Sequence, residues 1–258
     1  MQKRKIETGK RRKLRAGGGK TEISKEAVPY VHRYVSYGDA VRKAGLCQGF
    51  KSHTCKIPGK KGDFEIIYQM PELPTGCEIT ALTMVLNYYG WNADKMDMAM
   101  KYLPRLSADF WKGEDGKQYG NDMEHFFIGD PSTKGGYICG VPAIAAAADA
   151  FLEDRGSPLR AVDLTGASPE QLYHLVSQGT PVVVWVTIGM KDLKESAGWY
   201  TEDGRFMEWH RNDHGAVLIG YGKNTVTIAD PISGYVEYSR EQFEKIFELR
   251  GNRCLVLQ

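Results

Sequence analysis

Thr75-Gly76-Cys77-Glu78-Ile79-Thr80-Ala81-Leu82 decides the reading of this chain, because it places a thiol in the first turn of a helix. Apolar residues follow at Ile79, Leu82, Leu86 and Tyr89, a helical spacing that buries one face, and Gly90 supplies a left-handed stop. Thr75 and Glu78 have the Thr-x-x-Glu spacing of a capping box, which predicts Cys77 at about the second helical residue. Unpaired N–H groups and the positive end of the helix dipole favour a thiolate there, so the expectation is a nucleophilic cysteine with a lowered pKa. A small buried cysteine that only fills space is the alternative reading of the same position.

The second informative stretch is Asn212-Asp213-His214-Gly215-Ala216-Val217-Leu218-Ile219-Gly220-Tyr221, which puts a histidine at the mouth of a strand-forming apolar run. Gly222, Lys223 and Asn224 turn the chain into a second short strand, Thr225 to Ala229, that ends at Asp230-Pro231. Antiparallel strands joined by a short turn bring the start of one beside the end of the other, so His214 and Asp230 are expected to be neighbours. The carboxylate would then orient the ring so that its other nitrogen faces Cys77. Asp213 competes for this role, but adjacent residues of a strand point to opposite faces. Cysteine, histidine and a carboxylate in this chain order make a papain-type arrangement, which is recognised by roles rather than by position.

From Ile67 onward the chain resembles the papain-clan peptidases that process double-glycine bacteriocin precursors, in particular their stand-alone bacterial relatives. The matching residues are Tyr68-Gln69-Met70-Pro71-Glu72-Leu73-Pro74-Thr75-Gly76-Cys77-Glu78, Gly179-Thr180-Pro181-Val182-Val183-Val184-Trp185, His214-Gly215-Ala216-Val217-Leu218-Ile219-Gly220-Tyr221 and Ala229-Asp230-Pro231. The resemblance implies a papain-like fold, with Cys77 as nucleophile, His214 as its base, Asp230 as the orienting residue and Gln69 as an oxyanion donor. The backbone N–H of Cys77 would be a second donor. It implies a peptide or protein substrate and favours an extracellular or cell-surface setting.

The remaining signals describe a scaffold. A helical stretch is expected at about residues 96–103, and a polar, glycine-rich passage over 112–136 reads as a lid or substrate loop. Helices are predicted over about 141–154 and over 169–177, the latter opened by a Ser168-x-x-Gln171 box. A last helix over 240–247 follows Ser239, with Gln242 at the box position. Residues 182–187 and 253–257 read as strands. The fold class is α+β: a helical half beginning with the Cys77 helix, packed against an antiparallel sheet half that carries His214 and Asp230, with the cleft between them.

A chain of 258 residues, 42% of them hydrophobic, can bury a proper core without a metal or disulfide staple. Its net charge of +2 is unevenly spread, because residues 1–25 hold ten Lys or Arg against two Glu, a local +8. Three units are expected: a disordered basic tail over 1–25, a partly ordered arm over 26–62, and the peptidase-like domain over 63–258. The tail is a solvated segment or makes weak contact with anionic polymer or lipid. Basic and aromatic residues do not interleave in it, so no nucleic-acid partner is expected. The chain is taken to act as a monomer. No apolar run suits a membrane span or a secretory signal.

The five cysteines, Cys47, Cys55, Cys77, Cys139 and Cys254, have no zinc-like spacing, and the first two are close enough in sequence to pair across a short loop. His210, Asp213 and His214 lie within five residues, but no further ligand cluster completes a metal shell, and no cofactor is expected. Gly17-Gly18-Gly19-Lys20-Thr21 lacks the spacing and the preceding strand of a phosphate loop. Trp185, in an apolar strand, reads as core. Trp199 and Trp209, in a polar loop, are candidates for substrate contact. The leading expectation is a cysteine peptidase acting through a thioester. The alternatives are an amide hydrolase or transferase using the same acyl-enzyme, and a non-catalytic papain-like module binding a peptide or cell-wall ligand.

Overall fold

The computed structural model describes residues 64–194 and 198–258 together with a two-residue strand, β1 (Cys55–Lys56). The expected basic tail, most of the arm and the Cys47–Cys55 pairing lie outside the described residues. The helices are α1 (Cys77–Tyr88), α2 (Lys95–Asp97), α3 (Val141–Glu153), α4 (Pro169–Ser177) and α5 (Arg240–Leu249). The short strands are β2 (Arg105–Leu106), β3 (Phe110–Lys112), β4 (Gln118–Gly120), β5 (Phe127–Ile128), β6 (Ala161–Asp163), β8 (Trp199–Tyr200) and β9 (Phe206–Met207). The longer ones are β7 (Val182–Thr187), β10 (Asp213–Tyr221), β11 (Thr225–Asp230), β12 (Gly234–Ser239) and β13 (Cys254–Leu257).

The main sheet is antiparallel and runs β12-β11-β10-β7-β13-β6, with β1 also pairing β10. Its two faces pack different helices. Val183, Trp185, Val217, Ala229 and Leu255 join the core with α1 and α3, whereas Val182, Val184, Val186, Leu218, Ile228 and Val256 join the core with α4 and α5. This explains why β7 reads as an unbroken apolar run: a strand covered on both faces has no solvent side on which to place polar residues. Ile79, Leu82 and Leu86 of α1 are almost fully buried, each contributing about 1.5–3 kcal/mol by leaving water.

The start of α1 differs from the capping-box expectation. Cys77 is its first residue, Gly76 is the N-cap, and no side chain caps it. The Thr75 hydroxyl donates instead to the Thr133 carbonyl at 3.0 Å, and the Glu78 side chain turns inward. Ten of the helix's twelve residues are buried, so a cap built from solvent-facing side chains has no place here. Gly90 takes φ +88° after the helix, as the stop signal requires. At α4 the box does form, with the Ser168 N–H donating to Gln171 Oε1 at 2.7 Å. At α5 only half of it does. Gln242 N–H donates to Ser239 Oγ at 3.1 Å, while the Gln242 side chain donates to the Met190 carbonyl. The stretch expected as one helix near 96–103 is α2 followed by a π-helical turn, Met98–Tyr102.

The 112–136 passage is not a structureless lid. It holds β4 and β5, and with β3, β8 and β9 it forms a four-stranded sheet, β3-β4-β8-β9, and a two-stranded one, β2-β5. Strands of two or three residues are too short to show a period of two, which is why the sequence concealed them. One face of the four-stranded sheet is packed by Phe110 and Trp199, 4.9 Å apart between centroids, over Gly120. On the other face Trp111, Tyr119, Tyr200 and Phe206 are successive register partners. Trp199 therefore belongs to the core: it is buried, and its indole donates to the Asn121 carbonyl at 2.8 Å. The expectation that it contacts substrate fails because its loop is a strand. Trp209 is half-buried against Tyr137.

Candidate active site

Four elements converge on one region. Helix α1 brings Cys77 at its N-terminus, β10 brings His214, the end of β11 brings Asp230, and the loop before α1 brings Gln69. All four are buried. The α1 start meets β10 at Gly215, where an added Cβ would lie 2.7 Å from the Cα of Glu78. Only a residue without a side chain lets the helix end approach the strand so closely. As a result the Gly215 backbone N–H reaches the Cys77 sulfur, one residue along from His214.

His214 Nε2 lies 3.1 Å from Asp230 Oδ2, the neighbour relation expected from the hairpin. Burial opposes ionisation of Asp230, but His214 and the N–H groups of Ile232 and Ser233, at 2.7 and 3.0 Å, outweigh it and hold the carboxyl below its usual range. Neither ring nitrogen of His214 has a partner in full hydrogen-bond geometry among the described residues, so the contact with Asp230 is an ion-pair approach whose angle is not that of a hydrogen bond. The competing carboxylate, Asp213, is engaged elsewhere: its Oδ1 lies 2.8 Å from Arg250 Nε, and its Oδ2 accepts from the His210 N–H at 2.9 Å. His210 Nδ1 sits 2.9 Å from the Lys194 carbonyl, and no cluster of three metal-ligating side chains occurs among the described residues.

The state of the thiol departs from expectation. Cys77 donates to Glu78 Oε2 at 3.3 Å, and its pKa is pushed up, not down. Burial is the largest cause and the charge of Glu78 the next; the N–H groups of Gly215 and Glu78 favour the thiolate but do not compensate. Glu78 itself is pushed up to about 7, chiefly by burial and further by the charge of Asp213. Sequence reasoning assigned Glu78 to a surface cap and missed this contact. The signal was present in Cys77-Glu78-Ile79-Thr80-Ala81-Leu82-Thr83-Met84-Val85-Leu86, where Glu78 is the only charged residue in a stretch without a polar face. Thr80 and Thr83 share that burial by donating back to the carbonyls of Gly76 and Ile79, each at 2.7 Å.

Gln69 is tied to the same region, its backbone N–H donating to the Pro231 carbonyl at 2.9 Å. Its Nε2 donates to the carbonyls of Leu73 and Pro74 at 3.1 and 3.0 Å, and Oε1 is buried with no partner among the described residues. In this conformation both amide hydrogens are committed to the loop that leads into α1. Trp185, fully buried as expected, donates its indole N–H at 2.8 Å to the carbonyl of Cys139, a residue whose charge interactions link it to Cys77 and Glu78.

Residues 61–255 match the model of the Peptidase_C39 like family. The uncharacterised protein YvpB of Bacillus subtilis (strain 168) is 30% identical over 192 residues, covering 73% of this chain and 71% of that protein. A crystal structure from Bacillus anthracis, described as that of a candidate C39-like peptidase, is 32% identical, with a TM-score of 0.66, over 78% of this chain and 96% of the other. A double glycine motif protease from an AMS/PCAT transporter, solved with its leader peptide, is 18% identical, with a TM-score of 0.40, over 77% of this chain and 94% of the other. The α+β architecture, a helix bearing a cysteine at its start packed on an antiparallel sheet, is the papain-like fold, shared with the Bacillus anthracis structure. Since the family model spans most of the chain and YvpB matches it across two thirds of both proteins, the chain belongs to the Peptidase_C39 like family.

Proposed function

We propose that the protein is a cysteine peptidase that cleaves a peptide bond with Cys77, His214 and Asp230. The observation that carries this reading is the His214 ring, with Nε2 at ion-pair distance, 3.1 Å, from Asp230 Oδ2 and Nδ1 without a partner among the described residues, beside the residue whose N–H favours the Cys77 thiolate. Rotation of the thiol away from Glu78 lets Cys77 pass its proton to Nδ1, and the thiolate adds to the scissile carbonyl carbon. The resulting oxyanion accepts from the Cys77 N–H at the helix start and from Gln69 once its amide leaves the Leu73 and Pro74 carbonyls. The imidazolium then protonates the leaving amine. Water, deprotonated by the same nitrogen, hydrolyses the thioester and restores the thiol.

Bond cleavage in a peptide library, read by mass spectrometry, tests the reading. The wild type yields new termini, and Cys77→Ala yields none while keeping its melting temperature. A second reading is favoured by one observation, the bond from the thiol to Glu78 instead of His214. On that reading the fold is a module that binds a peptide or cell-wall ligand without cutting it, and the library is retained but left intact. Cleavage of non-peptide amides alone would instead assign an amide hydrolase or transferase using the same acyl-enzyme.

A further inference from the structure

We propose that Glu78 is a positioning residue that keeps Cys77 a neutral thiol, turned away from His214, until the Glu78 carboxyl is protonated or its contact is broken. The proposal rests on the nucleophile reading above, but it concerns the thiol itself and not turnover. Its basis is geometric. Glu78 Oε2 takes the thiol hydrogen at 3.3 Å, His214 Nδ1 has no partner among the described residues, and Glu78 and His214 are both buried, Glu78 directly against Gly215. Glu78 Oε1 is buried with no partner in full hydrogen-bond geometry among the described residues, and the N–H groups of Glu78 and Cys139, which favour the charged carboxylate, do not offset its burial. A purely structural carboxylate would be expected to satisfy both oxygens.

The groups around Glu78 set the sign. Cys77 is on its own helix, Asp213 acts from β10, where Gly215 is in contact, and Cys139 comes from the loop before α3. Beyond them Arg250 and Arg253 act on Asp213 with His210, and Glu124 acts on Cys139. Arg250 is spent on Asp213 at 2.8 Å, and Arg253 on Glu124 at 2.7 Å, so neither cation is paired with Glu78. An ionised Glu78 therefore opposes a thiolate 3.3 Å away, and a protonated Glu78 does not. No bond is made or broken in the restraint. Release transfers the thiol hydrogen from its contact with Oε2 to His214 Nδ1, and the carboxyl keeps its own protonation state.

The test is the rate at which iodoacetamide modifies Cys77 across a range of pH, read by peptide mass spectrometry, in the full chain and in Glu78→Gln. At about pH 7.5 the variant should react about tenfold faster, the gain in thiolate for one unit of lowered thiol pKa, and at about pH 5.5, where wild-type Glu78 is protonated, the ratio should fall towards one. Cys139 and Cys254, both buried, act as internal controls and should stay slow. Equal rates at the higher pH overturn the proposal, and so does an enhancement that is the same at every pH or is shared by Cys139, because that is loosening of the fold. The Glu78→Gln effect should persist in a His214→Ala background, whereas loss of reactivity in His214→Ala alone bears on the peptidase reading. If Glu78→Gln does not fold, carboxyl-carbon NMR of wild type labelled at glutamate decides: one glutamate titrating near neutral pH supports the restraint, and none doing so overturns it.

Discussion

Gly215 lies against the Cα of Glu78 so closely that a Cβ placed on it would stand 2.7 Å from that backbone atom. The contact joins the strand that carries His214 to the helix that carries Cys77, and neither backbone can move aside as a flexible side chain would. Gly215→Ala should therefore cost about 1–3 kcal/mol by overpacking, read as a fall in urea midpoint at unchanged m-value. A midpoint within error of wild type would show that the two elements part without strain.

Glu78→Gln should stabilise the protein in a pH-dependent way. The folded-state pKa of Glu78 is raised from 4.5 to about 7, so its contribution is fully present below the unfolded value and is lost as pH rises through the folded value. The variant, which cannot ionise, should gain up to roughly 3 kcal/mol over wild type at about pH 8 and little at about pH 4.5. Denaturation curves at both pH values measure the difference, and a gain at the lower pH only would reverse the sign argued here.

His214→Ala should slow alkylation of Cys77 and lower kcat/KM by about 100- to 10,000-fold on any peptide that the wild type cleaves, since the base is removed. Asp230→Asn should retain part of that activity, because the single amide oxygen can still accept from the ring, at the loss of the N–H bonds from Ile232 and Ser233 to the other position. The depressed pKa of Asp230 means its contribution is present above the unfolded value and is lost only as pH falls through the lower folded value, below about 4. A pH profile of inactivation that loses its acid limb well above that point would argue against the pair.

Trp185→Phe removes the indole N–H from the Cys139 carbonyl in a fully buried setting. The carbonyl is left without that donor and a small void opens, so a loss of about 2–4 kcal/mol is expected in thermal or urea unfolding. Cys139 lies next to the start of α3, and the variant should also make Cys139 more reactive to thiol reagents. Unchanged stability would mean that the loop finds another donor.

The elements that were legible in the sequence are those with long, one-sided chemistry. Residues 169–177 and 182–187 were placed to the residue, and the hairpin that sets His214 beside Asp230 followed from two apolar runs and one turn. What was not legible depends on partners distant in the chain. Whether Glu78 caps a helix from outside or enters the core depends on Gly215, more than a hundred positions later. The burial of Trp199 depends on Phe110 and Gly120, which belong to strands too short to carry a pattern. The raised thiol pKa has the same origin: a helix N-terminus favours a thiolate in water, but complete burial beside a carboxylate outweighs it.

Strand β13 runs inside the sheet, between β7 and β6, and β6 has no other partner among the described residues. A chain leaves the ribosome from its N-terminal end, so the Cys77 helix emerges before the strands that carry His214 and Asp230, and Cys254–Leu257 is the last of the described elements to appear. Until it does, β7 lacks its neighbour on one side while β10, on the other, carries the histidine. During synthesis the cell therefore meets a chain that has its thiol but not the completed platform for its base, and the two are brought into register only once residues 254–257 have been made and paired.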